Sequence, residues 1–205
     1  HAPNLYHRDT RPYLDAEGRD YPDNWLRFAL LSRVAALFGE GPGLASWRAD
    51  VVHANDWQTG LAPAYLAFAG AGHARSVFSV HNLAFQGNFP PHLMTLLQLP
   101  PAAFSPDGLE FYGRVSYLKA ALHYADRLTT VSPTYAREIQ TAELGFGMEG
   151  VLRARRDVLD GILNGVNQEV WNPRTDPHLA QRYGPDTLES KAVNRDALRA
   201  RLGLA

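Results

Sequence analysis

Short apolar runs alternate along this chain with longer segments whose apolar positions recur every three to four residues. "ADVVHA" (49–54), "RSVFSV" (75–80), "DRLTTV" (126–131) and "DGILNGV" (160–166) have the length and character of buried strands. Helical periods lie between them. In "DNWLRFALLSRVAALF" (23–38), Phe28, Leu31, Ala35 and Phe38 form one stripe, with Asp23 as the expected cap and "GEGPG" (39–43) as the stop. "DWQTGLAPAYLAFAG" (56–70) reads as a helix that tolerates Pro63 only near its first turn. "RVSYLKAALHYA" (114–125) sets Val115, Leu118, Leu122 and Ala125 on one face. "SPTYAREIQ" (132–140) offers Ser132 as N-cap and Pro133 as first residue. "SKAVNRDALRARL" (190–202) is a terminal amphipathic helix stopped by Gly203.

Strands that alternate with helices predict crossover units, and so an α/β, Rossmann-like, mostly parallel sheet flanked by helices. The near-continuous apolarity of the strands predicts that both sheet faces are covered. Residues 1–22 read as loop, and "QLPPAAFSPDGLEFYG" (98–113) as an irregular excursion with its own aromatic contacts. No repeat or low-complexity tract interrupts this order.

Composition narrows the function classes. The 205 residues carry 20 Lys and Arg against 21 Asp and Glu, a net charge of −1, which gives no general attraction to nucleic acid or anionic lipid. There is no cysteine, so disulfides and thiolate metal sites are excluded, as suits a cytoplasmic protein. The longest small and apolar run, 61–72, is far short of the roughly 20 residues that span a bilayer, and no signal peptide is visible. The first residue is His1 rather than Met, and the expectation is that the chain is a piece of something longer.

In open parallel sheets, ligands bind beyond the carboxyl ends of the strands. Polar groups gather at those ends here. The first strand delivers His53, Asn55, Asp56 and Trp57; the second, His81 and Asn82; the third, Ser132, Thr134 and Tyr135; the fourth, Asn164 and Asn167. Asp56 is an N-cap or a site carboxylate from position alone. Beside it, the flat face of Trp57 suits the C–H face of a sugar ring while the carboxylate takes hydroxyl protons. His81 opens "HNLAFQG", a loop whose glycine lets backbone approach a ligand, and it can donate to a hydroxyl. Asn164 either bonds a ligand or holds the Asn-Gly turn. A metal held by His53, Asp56 and His81 is disfavoured for want of further donors. Lys119 reads as a solvated helix face. No phosphate loop and no Gly-x-Ser-x-Gly elbow is present.

"DVVHANDWQTGLAPAYL", "SVFSVHNLAFQGNFP", "GLEFYGRVSYLKAALHYADRLTTVSPTYAREI", "GFGMEGVLRARRD" and "GILNGVNQEVWNP", in this order, closely resemble bacterial glycogen synthases and plant starch synthases. These are retaining glycosyltransferases of family 5 with the two-lobed GT-B fold. The resemblance implies transfer of glucose from ADP-glucose to the non-reducing end of an α-1,4-glucan. It implies Asp56 and His81 as catalytic residues, and His81, Asn82 and Asn164 on the donor glucose. Trp57 and Asp56 fall on the acceptor. ADP-glucose is the donor substrate, with no cofactor and no metal, and the partners are ADP-glucose and the glucan, not nucleic acid or membrane. The family usually reads His-Ala-His-Asp-Trp where this chain has Asn55. Its Lys-x-Gly-Gly loop has no counterpart here. Residues 1–205 are thus expected to be the N-terminal, acceptor-side domain lacking its first strands, with 186–205 leading toward a C-terminal nucleotide-binding domain. Such a piece is expected to be inactive alone. The competing readings are a non-catalytic glucan-binding module, with Trp57, Phe85, Tyr112 and Tyr117 as stacking surfaces, and another GT-B enzyme such as a sucrose synthase or a nucleotide-sugar epimerase.

Overall fold

The computed structural model of the chain describes residues 2–9, 11–41, 46–70 and 73–204. The end of the "GEGPG" stop and the tail of the 61–72 run therefore lie outside the described residues. The helices are α1 (Pro3–Tyr6), α2 (Asn24–Glu40), α3 (Leu61–Phe68), α4 (Tyr117–Tyr124), α5 (Pro133–Glu138), α6 (Glu149–Ala154) and α7 (Lys191–Leu202). The strands are β1 (Val51–Asn55), β2 (Arg75–Val80), β3 (Asn88–Phe89), β4 (Glu110–Phe111), β5 (Arg114–Ser116), β6 (Arg127–Thr130) and β7 (Leu159–Gly161). Two compact units result, residues 1–163 and 164–205.

The first unit is built on a four-stranded sheet in the order β1-β2-β6-β7, every pair parallel. The crossovers step in one direction, and right-handed crossovers that step one way lay their helices on one face. The exposures agree. Val52, Ala54, Phe78, Val80 and Leu128 are buried, while Val51, His53, Asn55, Arg75 and Arg127 alternate with them and are exposed. The expectation that both faces are covered is therefore corrected: among the described residues one face carries the helices and the other is open. Inward positions are mostly apolar, with Ser76 and Thr130 also buried, and outward positions hold both valines and polar groups, so the pattern resembled two-sided burial.

Beneath the covered face, α3 packs between α2 and α4. Of the predicted stripe of α4, Leu118 and Leu122 are buried on the helix and Ala125 at its C-cap, whereas Val115, also buried, belongs to strand β5, because the helix starts only at Tyr117. The predicted stripe of α2 is not met. Its buried positions are Asn24, Arg27, Phe28, Ala29, Ser32, Ala36 and Gly39, and Leu31 points outward. Small residues at 32, 36 and 39 let α2 approach its neighbours closely, which outweighs the larger side chains at 31 and 38. Asp23 makes no capping bond; it pairs with Arg8. Ser132 does cap α5, accepting the Tyr135 N–H at 2.9 Å, with Pro133 as its first residue. Gly203 ends α7 in the left-handed conformation, as expected.

Two segments hold more order than their sequence suggested. Residues 98–113 include β4, which pairs with β5 and, through it, with β3 in a small antiparallel sheet. Residues 2–22 contain α1 and a bridge between Leu14 and Asp20. This segment is pinned by Arg27, which is 4% exposed and donates to the Pro12 carbonyl at 2.9 Å and to Asn24 Oδ1 at 2.7 Å. No helix among the described residues is long and apolar enough to cross a membrane.

The second unit is thinly packed. Asn194 binds Gln181 in both directions, at 2.9 and 2.7 Å, and tethers α7 to the preceding turns. The apolar side chains Val193, Leu198 and Leu202 of that helix are exposed.

Candidate functional site

The exits of β1 and β2 lie side by side because these strands pair in parallel, with Asn55 opposite Ser79. Beyond this rung the two chains grip each other. The Asp56 N–H donates to the Ser79 carbonyl at 3.0 Å, and the Asp56 carboxylate accepts the His81 N–H at 2.8 Å. Asp56 therefore does not cap the short 3₁₀ turn Trp57–Thr59 that follows it; its side chain makes no bond to that turn. Its backbone sits at φ 53°, ψ 180°, a region that residues with a Cβ rarely enter and that costs about 1–3 kcal/mol. The strain turns Trp57 toward the helices and leaves the carboxylate at the sheet edge. The His81 ring meets Asn55, with Nε2 3.1 Å from Oδ1. Thus the residue at the position of departure from the family pattern touches the candidate catalytic imidazole directly.

Asn82 is exposed and folds its amide oxygen back onto the Ala84 N–H at 3.0 Å. Tyr135, from the β6 exit, accepts the Leu83 N–H at 3.1 Å and so anchors the same loop. Further along, Gln86 and Gly87 carbonyls accept the Leu118 and Tyr117 N–H groups, both at 3.1 Å, and occupy free donors at the start of α4. The loop 81–87 is accordingly a braced wall rather than a mobile flap. Gly87 serves packing: at φ 58° it lies on the Trp57 indole, and a Cβ there would stand 2.4 Å from Trp57 Cε3. The expected role of this glycine, admitting a ligand to the backbone, is corrected accordingly.

Trp57 itself is a core residue. It is 8% exposed and packs against Phe28 at 4.8 Å between ring centroids, Phe89 at 5.9 Å and Tyr13 at 6.2 Å. The expectation of a freely presented indole face is not met, because the strained turn at Asp56 swings the ring into this aromatic cluster. The more exposed ring at the rim is Phe85, 63% exposed, with Tyr13 at 41% on the same cavity. Of the other stacking surfaces expected from sequence, Tyr117 is fully buried, with its hydroxyl on the Trp25 carbonyl at 2.8 Å, and Tyr112 is exposed.

A cavity of about 400 Å³ opens between these groups, lined by Tyr13, Asp20, Asp56, Gln58, Asn82 and Phe85 among others. A second, of about 460 Å³, shares Asp20, Trp57 and Phe85 with it and continues to Asn88 and Arg114. The contributions of Tyr13, Asp20 and Arg114 were missed in the sequence. Tyr13 and Asp20 come from a segment without a period, held in place by the buried Arg27, and Arg114 from the start of the 114–125 run, which folds as β5 before the helix begins. His53 stands apart from the cavities on the open face, with its ring Nε2 2.7 Å from Ser79 Oγ. Asn164 is exposed and begins the second unit.

A larger cavity, about 550 Å³, flanks α4 and includes Tyr112, Lys119, His123 and Arg155. Lys119 is not a solvated face: it donates to the Pro106 carbonyl at 2.7 Å and to the Glu110 carbonyl. Burial lowers its pKa, against the opposing charges of Glu110 and Asp107. Arg155 donates to the carbonyls of His123 and Ala125 at the end of α4. These cations are engaged in holding the fold.

Comparison with known proteins decides the family. The profile of the starch synthase catalytic domain matches residues 1–154. The chain belongs to the starch synthase catalytic domain family. The glycogen synthase of Aromatoleum aromaticum is 55% identical over 204 residues, covering 100% of this chain and 41% of that protein. That of Nitrosomonas europaea is 50% identical over 204 residues, with the same coverage. The chain thus spans about two fifths of the length of these relatives. Among solved structures, the catalytic domain of starch synthase IV from Arabidopsis thaliana, bound to ADP and acarbose, is similar with a TM-score of 0.67 and 33% identity, over 91% of this chain and 39% of that one. In this member of the starch synthase catalytic domain family, the parallel sheet and its helices are therefore the expected framework, and the Asp56–His81 pair sits on its carboxyl edge.

Proposed function

We propose that this chain supplies the glucan-side half of an active site that transfers glucose from ADP-glucose to the non-reducing end of an α-1,4-glucan. The observation that carries the reading is the hydrogen bond from the His81 N–H to the Asp56 carboxylate, at the rim of a cavity, in a chain of this family. A retaining transfer needs the glucosyl C1–O bond to break with its electron pair leaving on the diphosphate. The acceptor hydroxyl oxygen then bonds C1 from the same face and its proton passes to the departing phosphate. The positive charge that develops on the sugar is favoured by carbonyl and carboxylate oxygens aimed at it. Asp56 fixes the backbone at His81 through the His81 N–H, and its carboxylate borders the cavity. His81 and Asn82 hold the donor glucose. Phe85, with Asp56 beside it, meets the acceptor chain, and Trp57 supports that surface from beneath. The reading requires no cofactor or metal, because the nucleotide itself is the leaving group.

The test is a comparison of this chain with the same sequence extended to the length of its curated relatives. The extended protein is expected to elongate maltooligosaccharide with ADP-glucose and release ADP, and the 205-residue chain to do neither. Elongation by the short chain alone refutes the division of labour. Binding of maltooligosaccharide by an extended protein that never consumes ADP-glucose would favour a glucan-binding module instead.

A further inference from the structure

Asn55 and His81 occupy the open face of the sheet. They continue the outward alternation of 51, 53 and 55 on β1 and of 75, 77 and 79 on β2. One rung below, His53 Nε2 meets Ser79 Oγ at 2.7 Å, and Ser79 Oγ meets Thr129 Oγ1 at 2.5 Å. The Asn55–His81 pair is the last rung of this polar ladder and the one that reaches the candidate site.

Its geometry is held from several sides. Among the described residues, no strand pairs with β1 on the side away from β2. The hydroxyl of Thr59 takes both peptide groups of Asn55: it accepts the Asn55 N–H at 2.6 Å and donates to the Asn55 carbonyl at 2.7 Å. With its backbone so fixed, Asn55 sets its amide oxygen 3.1 Å from His81 Nε2, while its neighbour Asp56 holds the His81 N–H. Both ends of the histidine are thus gripped from the β1 exit. An amide oxygen can only accept. The proton of a neutral His81 ring therefore belongs on Nε2, and the lone pair on Nδ1.

We propose that Asn55 is a positioning residue that selects the Nε2–H tautomer of His81 and leaves Nδ1 to accept a hydroxyl proton from the bound sugar. This rests on the reading of His81 as a donor-glucose contact, and it reverses the polarity expected from the sequence, in which His81 donates to that hydroxyl. A ring whose tautomer is set before the ligand arrives presents one fixed acceptor, and a sugar hydroxyl must turn its proton toward it.

The tautomer is read by long-range proton–nitrogen correlation on histidine-labelled chain, at a pH about two units above the reference imidazole value. The expected pattern is Nε2 protonated and Nδ1 bare. Asn55→Ala is expected to release the ring to a mixture, and Asn55→Asp, which keeps an acceptor oxygen, to retain the original pattern. The unchanged His53 signals report that each variant is folded. An Nδ1–H ring in the parent chain, or no change in Asn55→Ala, overturns the proposal. In the extended protein, Asn55→Ala should lower kcat/KM for the nucleotide sugar by about 2- to 10-fold, the worth of one neutral hydrogen bond. A released tautomer with unchanged kcat/KM equally overturns the positioning role. If the extended protein shows no transfer at all, the functional reading fails while the tautomer result stands on its own.

Discussion

Two aspartates stand at opposite ends of β2 and do the same thing to its backbone. At the carboxyl edge, Asp56 accepts the His81 N–H at 2.8 Å. At the amino edge, Asp126 accepts the Ser76 N–H at 2.7 Å. They differ in what is left over. Asp126 also accepts the Ser76 hydroxyl at 2.9 Å and pairs with Arg75 at 2.9 Å, so both oxygens are engaged. Burial raises its pKa, but the Ser76 hydrogen bonds and Arg75 outweigh that and hold the carboxyl below its usual range. Asp56 spends one oxygen on His81, and among the described residues the other takes no hydrogen bond. It also borders a cavity and sits on strained backbone. Cross-strand bonding makes a carboxylate structural; unspent acceptor capacity beside a cavity makes it available to a ligand.

That contrast predicts opposite consequences for the same substitution. Asp56→Asn keeps an oxygen for the His81 N–H and removes the charge. In the extended protein, turnover is expected to fall about 100-fold or more, with the unfolding midpoint nearly unchanged. Near-normal ADP release by this variant would erase the distinction between the two residues. Asp126→Asn should do the reverse: a loss of about 1–2 kcal/mol in urea unfolding at pH 7, with turnover little affected. The pH dependence sharpens it. A carboxyl whose pKa is depressed by folding contributes its stability above the unfolded value, about 3.9, and loses it as pH falls through the lower folded value. The stability gap between parent and Asp126→Asn should therefore be full at pH 6 and shrink below about pH 4. A gap that is constant with pH would mean that shape, not charge, sets the role of Asp126.

The smallest effect is expected at Thr59→Val, which removes the hydroxyl clasp on Asn55. Asn55 is exposed, so water replaces much of what is lost, and the cost should be about 0.5–1.5 kcal/mol. Amide exchange at Asn55 should quicken while Ser79, on the paired strand, stays protected. Uniform quickening of both would show that the clasp stabilises the whole sheet rather than the site.

The legible parts of the molecule were those with a local signature. Three of the four parallel strands, α4 with Leu118 and Leu122 buried, the Ser132 cap and the Gly203 stop each follow from spacing or from a single residue's backbone preference; the fourth strand is Leu159–Gly161, ending before most of the predicted run 160–166. Asp56, His81 and Asn82 were readable because the end of an apolar run marks a strand exit. The small sheet β3-β5-β4 was not, since strands of two or three residues contain no period. The buried side of α2 was not, since apolar residues occur around much of that helix and close approach chose the small ones. Tyr13 and Asp20 entered the site only through the hold of Arg27 on a segment that looks featureless.

By itself the sequence determined that polar groups would gather at one edge of a parallel sheet, because strand periodicity and turn chemistry are written locally. Only the tertiary structure decided which of them border a cavity. The direction of Trp57 depends on one strained turn, the reach of Asn55 on the register of β1 against β2, and the freedom of Asp56 on how many partners crowd it. Each is a property of contacts between residues more than twenty positions apart, to which no local pattern is sensitive.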